Sequence, residues 1–292
     1  MSENNKIPNF ITFPKTFEKY KWYKPILVFI IGLIIYIIFN VIVDIVFNVT
    51  FGTELITSIA NGGYEALNSE VGQIYTDLGI IVMIPAIYLA AKLIRDRPFS
   101  SYASSRRGWN HKLYFKSLIL PLIMYIILEI IGLAIDGPEN GTFHFTVPFF
   151  ILCLITVPLQ CIAEEYVFRG LLLQTFGSWF KFPIIAIVLQ AIAFAALHGY
   201  NTFGIIQIFI SGLIYGFFTW KTNGIEVSSA IHTMNNLTIT IFVMLGIQLT
   251  SSSPEQMDVL ISIIVEIVMS AIIYYVGVKT NWFGELTENE QA

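Results

Sequence analysis

The sequence predicts an all-α, polytopic membrane protein of about eight transmembrane helices, and three observations carry that expectation. Of 292 residues, 55% are hydrophobic and only 12% charged, with a mean hydropathy of +0.72. A soluble domain is usually about a quarter charged, and one large apolar core would still need a polar coat. The apolar residues come in long unbroken runs, unlike the roughly ten-residue alternating segments of a membrane barrel. In hydrocarbon only helices or closed barrels satisfy the backbone. Finally, apart from Arg169, Lys and Arg gather at the ends of the chain and at alternate connections between the runs.

The runs cover about 25–47, 71–94, 117–136, 148–177, 183–200, 203–220, 225–248 and 257–278. They are read as spans of a core about 30 Å thick, at a rise of about 1.5 Å per residue. The first is too long for a signal peptide and has no small-residue cleavage site after Asn48, so it reads as a retained helix. The fifth and sixth depend on a very short turn at Tyr200 and Asn201. Residues 1–24 form a basic, aromatic segment with Tyr20, Trp22 and Tyr23 as an interfacial anchor. Residues 25–136 hold helices one to three, 148–278 hold helices four to eight, and 279–292 make an acidic tail with Glu285, Glu288 and Glu290.

Charge sets the expected orientation. Lys6, Lys15, Lys19, Lys21 and Lys24 precede the first run, and Lys92, Arg95, Arg97, Arg106, Arg107, Lys112 and Lys116 surround the second connection. Lys181, Lys221 and Lys279 mark the 177–183, 220–225 and C-terminal connections, whereas 48–70, 137–147 and 249–256 hold neither Lys nor Arg. With an even number of spans the positive-inside rule places both termini in the cytoplasm. Removing any one span would scatter the positives to both faces. An Ile-, Phe- and Asn-rich composition points to a bacterial plasma membrane. The lipid bilayer and a membrane-associated substrate are the expected partners, and no basic patch suggests nucleic acid.

An Asp, Lys or Arg at the centre of a span costs at least about 2.5 kcal/mol, so ionisable residues there are functional candidates by default. Asp44 and Asp77 read as outer-end or pore-lining groups, and Glu129 and Glu266 as structural partners alone on apolar helices. Cys153 and Cys161, roughly 12 Å apart along one helix, read as packing residues. Gly212 and Gly216 are spaced for close helix packing.

The fourth run differs, with Ala163-Glu164-Glu165-Tyr166-Val167-Phe168-Arg169-Gly170 in one apolar helix. Glu165 and Arg169 are four apart, hence on one face and oriented to pair. Glu164 points about 100° away without that partner, a setting suited to a general base; the plainer reading is an ion pair with a spectator glutamate. The fifth run supplies Phe194 and His198, and the seventh His232 and Asn236, again four apart. Glu164 and His198 lie at matching depths of about 20 and 22 Å from one face. His232 is only about 10 Å beyond the start of its run, so that helix must begin deep or tilt. Gly224 would permit a buried start. His111 and His144 fall in connections.

Glu164-Glu165-x-x-x-Arg169, then Phe194-x-x-x-His198, then His232-x-x-x-Asn236 resemble the three-motif pattern of the CAAX-prenyl protease and bacteriocin-processing (Abi) family of intramembrane endopeptidases. The resemblance covers about 148–248. It implies a peptide-bond hydrolase acting within the membrane on a membrane-associated peptide or prenylated protein. In that pattern Glu164 and His198 activate the attacking water, His232 and Asn236 stabilise the oxyanion, and Glu165, Arg169 and Phe194 support them. The family has been described both as metallo- and as glutamic protease. Glu164, His198 and His232 could furnish one oxygen and two nitrogens to a catalytic zinc. Asn236 is a poor zinc ligand and a good donor, which favours a site without a cofactor and leaves zinc the alternative. Two other classes fit the same residues. One is a non-catalytic immunity or regulatory scaffold. The other is an ion-coupled transporter, which the lack of self-similarity between the halves disfavours.

Overall fold

The computed structural model describes residues 7–106, 108–284 and 286, so Lys6, Arg107, Glu285, Glu288 and Glu290 lie outside the described residues. Eight principal helices follow one another among them: α1 (Lys24–Phe51), α2 (Glu70–Ile94), α3 (His111–Asp136), α4 (Val147–Phe180), α5 (Pro183–Ala196), α6 (Thr202–Lys221), α7 (Glu226–Met244) and α8 (Gln256–Lys279). Short helical segments at Thr53–Asn61, Gly63–Asn68 and Ser100–Ala103 fill the connections, and no strand occurs among the described residues. All but α5 and α7 are long and apolar enough to cross a membrane by length and composition.

The two exceptions have physical causes. α5 has 14 residues, about 21 Å of rise, and ends at Ala196, so His198 lies in the turn beyond it and not inside a helix that runs to 200. The turn itself is real: the Asn201 side chain accepts from the Gly204 backbone N–H and caps α6. α7 carries Glu226, His232, Asn235 and Asn236 and is too polar to pass as a lipid-facing span. It need not be one. It packs against α3, α4 and α6, and every residue from Lys221 to Met234 is buried. The Gly224 connection and the first turns of α7 are therefore enclosed by protein. α1 is its opposite, buried only at Pro25, Val28, Gly32 and Phe47 and offering Ile34, Ile37, Ile38 and Ile45 outward.

The chain zigzags between two faces, each knitted by its own hydrogen bonds. On the face that holds the Lys and Arg residues, Ser105 N–H donates to Asn223 O at 3.1 Å and Ile225 N–H to Ala103 O at 2.9 Å. The Gln174 amide donates to Ser101 O at 2.9 Å, and the Trp179 indole to Trp22 O at 2.9 Å. On the opposite face, Glu139 N–H donates to Ile247 O, Gly141 N–H to Gly246 O and Asn201 N–H to Ser252 O, and Asn68 pairs with Thr250. The N-terminal segment also packs against the helices. Trp22 and Tyr23 are exposed, but Phe10 and Ile11 are fully buried against Leu173, Ala186 and Ile225.

Small residues let these parts approach. Gly212 lies against Ala191 and Gly216 against Gln190, whose amide donates to Gly212 O at 2.7 Å, so α5 and α6 pack at backbone distance. Cys153 and Cys161 are free and buried in the core around α7. Asp44 accepts from the Tyr75 hydroxyl at 2.5 Å, linking α1 to α2. Asp77 accepts from Gln73 at 2.9 Å and from Thr156 at 2.6 Å, linking α2 to α4. Glu266 is not alone, since Ser211 donates to it at 2.9 Å. Glu129 is half-buried.

Gly170 tests this packing. A Cβ there would sit 2.7 Å from the Tyr102 carbonyl oxygen, whereas one at Gly132 would meet nothing within 4 Å. Gly170→Ala is expected to lower unfolding stability by about 1–3 kcal/mol through overpacking, and Gly132→Ala to leave it within about 1 kcal/mol of the parent. Thermal unfolding of the two variants in one detergent makes the comparison.

Candidate active site

The site begins on α4. Its first part, Val147–Glu165, is regular α-helix; Tyr166–Leu173 then widens into a π-helix before Gln174–Phe180 resumes. Such widenings recur at functional sites. Here it follows directly on Glu164-Glu165 and contains Arg169. The predicted pair forms: Arg169 Nη1 donates to Glu165 Oε1 at 3.0 Å, both side chains being fully buried. The guanidinium faces the rings of Phe194 at 4.3 Å and Tyr215 at 5.1 Å. Those rings accept its positive face where its Nε and Nη2 have no hydrogen-bond acceptor among the described residues.

Glu165 Oε1 also receives His232 Nδ1 at 3.1 Å. A carboxylate only accepts, so Nδ1 carries the proton of this bond, and Nε2 points away from Glu165. The imidazole stacks on Tyr215 at 5.0 Å and 24°, and its Nε2 lies 3.8 Å from Glu164 Oε2 and 3.5 Å from Asn236 Nδ2. Phe194 touches this arrangement edge-on, 6.1 Å from the His232 ring.

Glu164 is not isolated as its helical position suggests. Gln160, one turn earlier, donates to Glu164 Oε1 at 2.5 Å and accepts from Asn236 Nδ2 at 3.2 Å. One amide thus ties the carboxylate of α4 to the asparagine of α7. Asn236 also accepts from Asn235 at 3.0 Å. Glu164 Oε2 is buried with no hydrogen-bond partner among the described residues and faces His232. Gln160 and Tyr215 are not singled out by the motifs. Gln160 does sit four residues before Glu164, on the same face, which is the signal that could have found it.

His198 comes from the turn after α5 and is half-buried. Its Nδ1 donates to Phe194 O at 2.7 Å, which fixes the ring's orientation. Its ring lies 4.6 Å from Phe194 and parallel to Tyr200 at 6.4 Å; Tyr200 stacks in turn on Tyr64 at 3.9 Å. No hydrogen bond joins His198 to Glu164 among the described residues. Burial pushes the Tyr200 hydroxyl up to about 12.

A zinc centre on Glu164, His198 and His232 would need the three gathered at bonding distance of one point. No group of three or more His, Cys, Asp or Glu side chains is so gathered among the described residues. His111 begins α3 and is exposed, and His144 is half-buried in its connection, bound to Thr142 O at 2.8 Å.

With this geometry in hand, the comparisons with known proteins carry weight. Residues 146–238 match the family described as type II CAAX prenyl endopeptidase Rce1-like. The matched segment is thus similar to the CAAX protease family. It contains Glu164, Glu165, Arg169, Phe194, His198, His232 and Asn236. The chain is also similar to the uncharacterized protein YyaK of Bacillus subtilis (strain 168), 29% identical over 171 residues, which is 55% of this chain. The match spans 57% of that relative's length. No solved structure matches.

Glu165–Arg169 is the structural keystone, and its loss has a stated cost. Arg169→Ala leaves the buried Glu165 carboxylate without its cationic partner, with His232 as its remaining hydrogen-bond donor, and is expected to destabilise the protein by about 3–5 kcal/mol. The double variant Arg169→Met, Glu165→Leu removes both charges and is expected to recover most of that loss. Chemical unfolding in detergent measures both.

Proposed function

We propose that this chain is an intramembrane endopeptidase of the CAAX-protease/Abi type that hydrolyses a peptide bond of a membrane-associated substrate. The observation that carries the reading is the buried cluster in which Glu164 faces His232 and is tied through Gln160 to Asn236, within a segment that matches an endopeptidase family.

Glu164 and His198 hold the attacking water, and Glu164 takes its proton as the oxygen bonds to the scissile carbonyl carbon. His232 enters and leaves the step as the imidazolium, with Nδ1–H on Glu165 and Nε2–H toward the developing oxyanion; the Asn236 amide supplies a second donor. Fixed donors in a water-poor site are most effective at that moment. Arg169 neutralises Glu165 throughout, so Glu165 orients the imidazole without taking up the reaction's proton. The proton on Glu164 passes to the amine as the C–N bond breaks, which leaves an acid and an amine as products. Nothing in this sequence of steps draws on a metal, in keeping with a donor set in which Asn236 takes the place of a ligand.

Purified full chain in liposomes, presented with membrane-anchored peptides that include prenylated ones, tests the proposal by mass spectrometry of the products. Glu164→Gln and His198→Ala are expected to lower the rate by about 10²–10⁴-fold, and Asn236→Ala to lower kcat by about 10²–10³-fold. Inserted, folded Glu164→Gln protein with full activity would sink the reading. Activity is expected to survive a strong zinc chelator; loss on chelation with recovery on added zinc would replace the water-activation scheme by a metal one.

A further inference from the structure

The two ends of the site are built differently. Toward the basic face it is sealed. Three glycines lie there with the covering segments directly on their backbones. A Cβ at Gly170 would be 2.7 Å from Tyr102 O, one at Gly177 2.6 Å from Ile11 O, and one at Gly224 3.0 Å from Ala103 O. The loop at 103–105 bonds along 223–225, and the Asn110 N–H donates to the buried Glu226 at 2.9 Å. Every residue of α7 up to Met234 is buried.

Beyond Met234, toward the Lys- and Arg-free face, the same helix opens: Asn235, Asn236, Ile239 and Ile241 are half-buried, with buried positions between them. His198 is half-buried, Leu197 is 73% exposed and Gly199 has open space around it. Asparagine and histidine left partly uncovered within a membrane need water, since lipid cannot satisfy their polar groups. The partly uncovered polar residues of the site, His198, Asn235 and Asn236, all lie on the side away from the basic face.

We propose that the site draws water and substrate from the non-cytoplasmic face, so that its substrate is a peptide carried on, or exported through, the membrane and not a tail presented from the cytosol. This rests on the endopeptidase reading for the word substrate, and on the positive-inside rule for the name of each face. A peptide reaching His198 and Asn236 passes the Leu197–Tyr200 turn, where Leu197 offers an apolar contact and the Tyr64–Tyr200 stack a wall.

Cysteine accessibility in the full chain decides the matter without needing proteolysis, so its failure and that of the endopeptidase reading are distinguishable. In a Cys153→Ser, Cys161→Ser background, Gly199→Cys, Asn235→Cys and Lys112→Cys are exposed singly to a membrane-impermeant maleimide. Right-side-out and inverted vesicles are compared. Gly199→Cys has room for its side chain, which keeps the test alive if Asn235→Cys folds poorly. Gly199→Cys and Asn235→Cys are expected to label at least tenfold faster in right-side-out vesicles, and Lys112→Cys at least tenfold faster in inverted ones. Faster labelling of Gly199→Cys from the inverted side, labelling of Lys112→Cys from the right side, or no labelling of Gly199→Cys from either would overturn the proposal.

Discussion

One oxygen atom of Glu165 receives two hydrogen bonds in a place without solvent, from Arg169 on its own helix and from His232 on α7. A lone charge at that depth would be expelled or neutralised; three groups that share their charge and protons are retained. The contact also fixes chemistry at a distance. By accepting the Nδ1–H hydrogen bond, Glu165 sets the His232 ring with Nε2 toward Glu164 and Asn236. Arg169 donates to the same Glu165 oxygen, and Phe194 and Tyr215 shelter the guanidinium. Disturbing any of these moves the imidazole.

The architecture around that contact inverts the arrangement of a soluble protein. The most polar principal helix, α7, is the most enclosed, while α1 turns its isoleucines outward. α7 can be polar because α3, α4 and α6 surround it and because its own hydroxyls, amides and imidazole find partners on them: Tyr114 to Thr233, Gln160 to Asn236, Thr219 to Ser228. The π-helix at Tyr166–Leu173 lies where α4 passes α5 and the Ser100–Ala103 turn, and the absence of a Cβ at Gly170 admits Tyr102 there.

Much of this was legible in the residues alone, for reasons that also mark where legibility ends. Spans and faces follow from hydrophobic runs and charge, because the bilayer imposes a length and a polarity on every crossing. The Glu165–Arg169 pair follows from a four-residue spacing on one helix, which is local geometry. Which helix faces which is not local. That His232 meets Glu165 and not only Glu164, that Gln160 joins two motifs, and that Tyr215 underlies the imidazole all depend on helix rotation, which periodicity leaves free. The early end of α5 was missed because Leu197 through Tyr200 are apolar or aromatic enough to extend the run. The docking of Phe10 and Ile11 was hidden among lysines and aromatics that read as an interfacial belt.

The claim that Glu165 dictates the protonation and orientation of His232 is open to direct observation. Nitrogen-15 spectra of imidazole-labelled full chain, with His232 assigned through its loss in His232→Gln, report which ring nitrogen bears the proton. The expected result is a ring protonated at Nδ1 that loses this preference in Glu165→Gln. A neutral ring protonated only at Nε2 in the parent protein, or a spectrum indifferent to Glu165→Gln, would contradict the account.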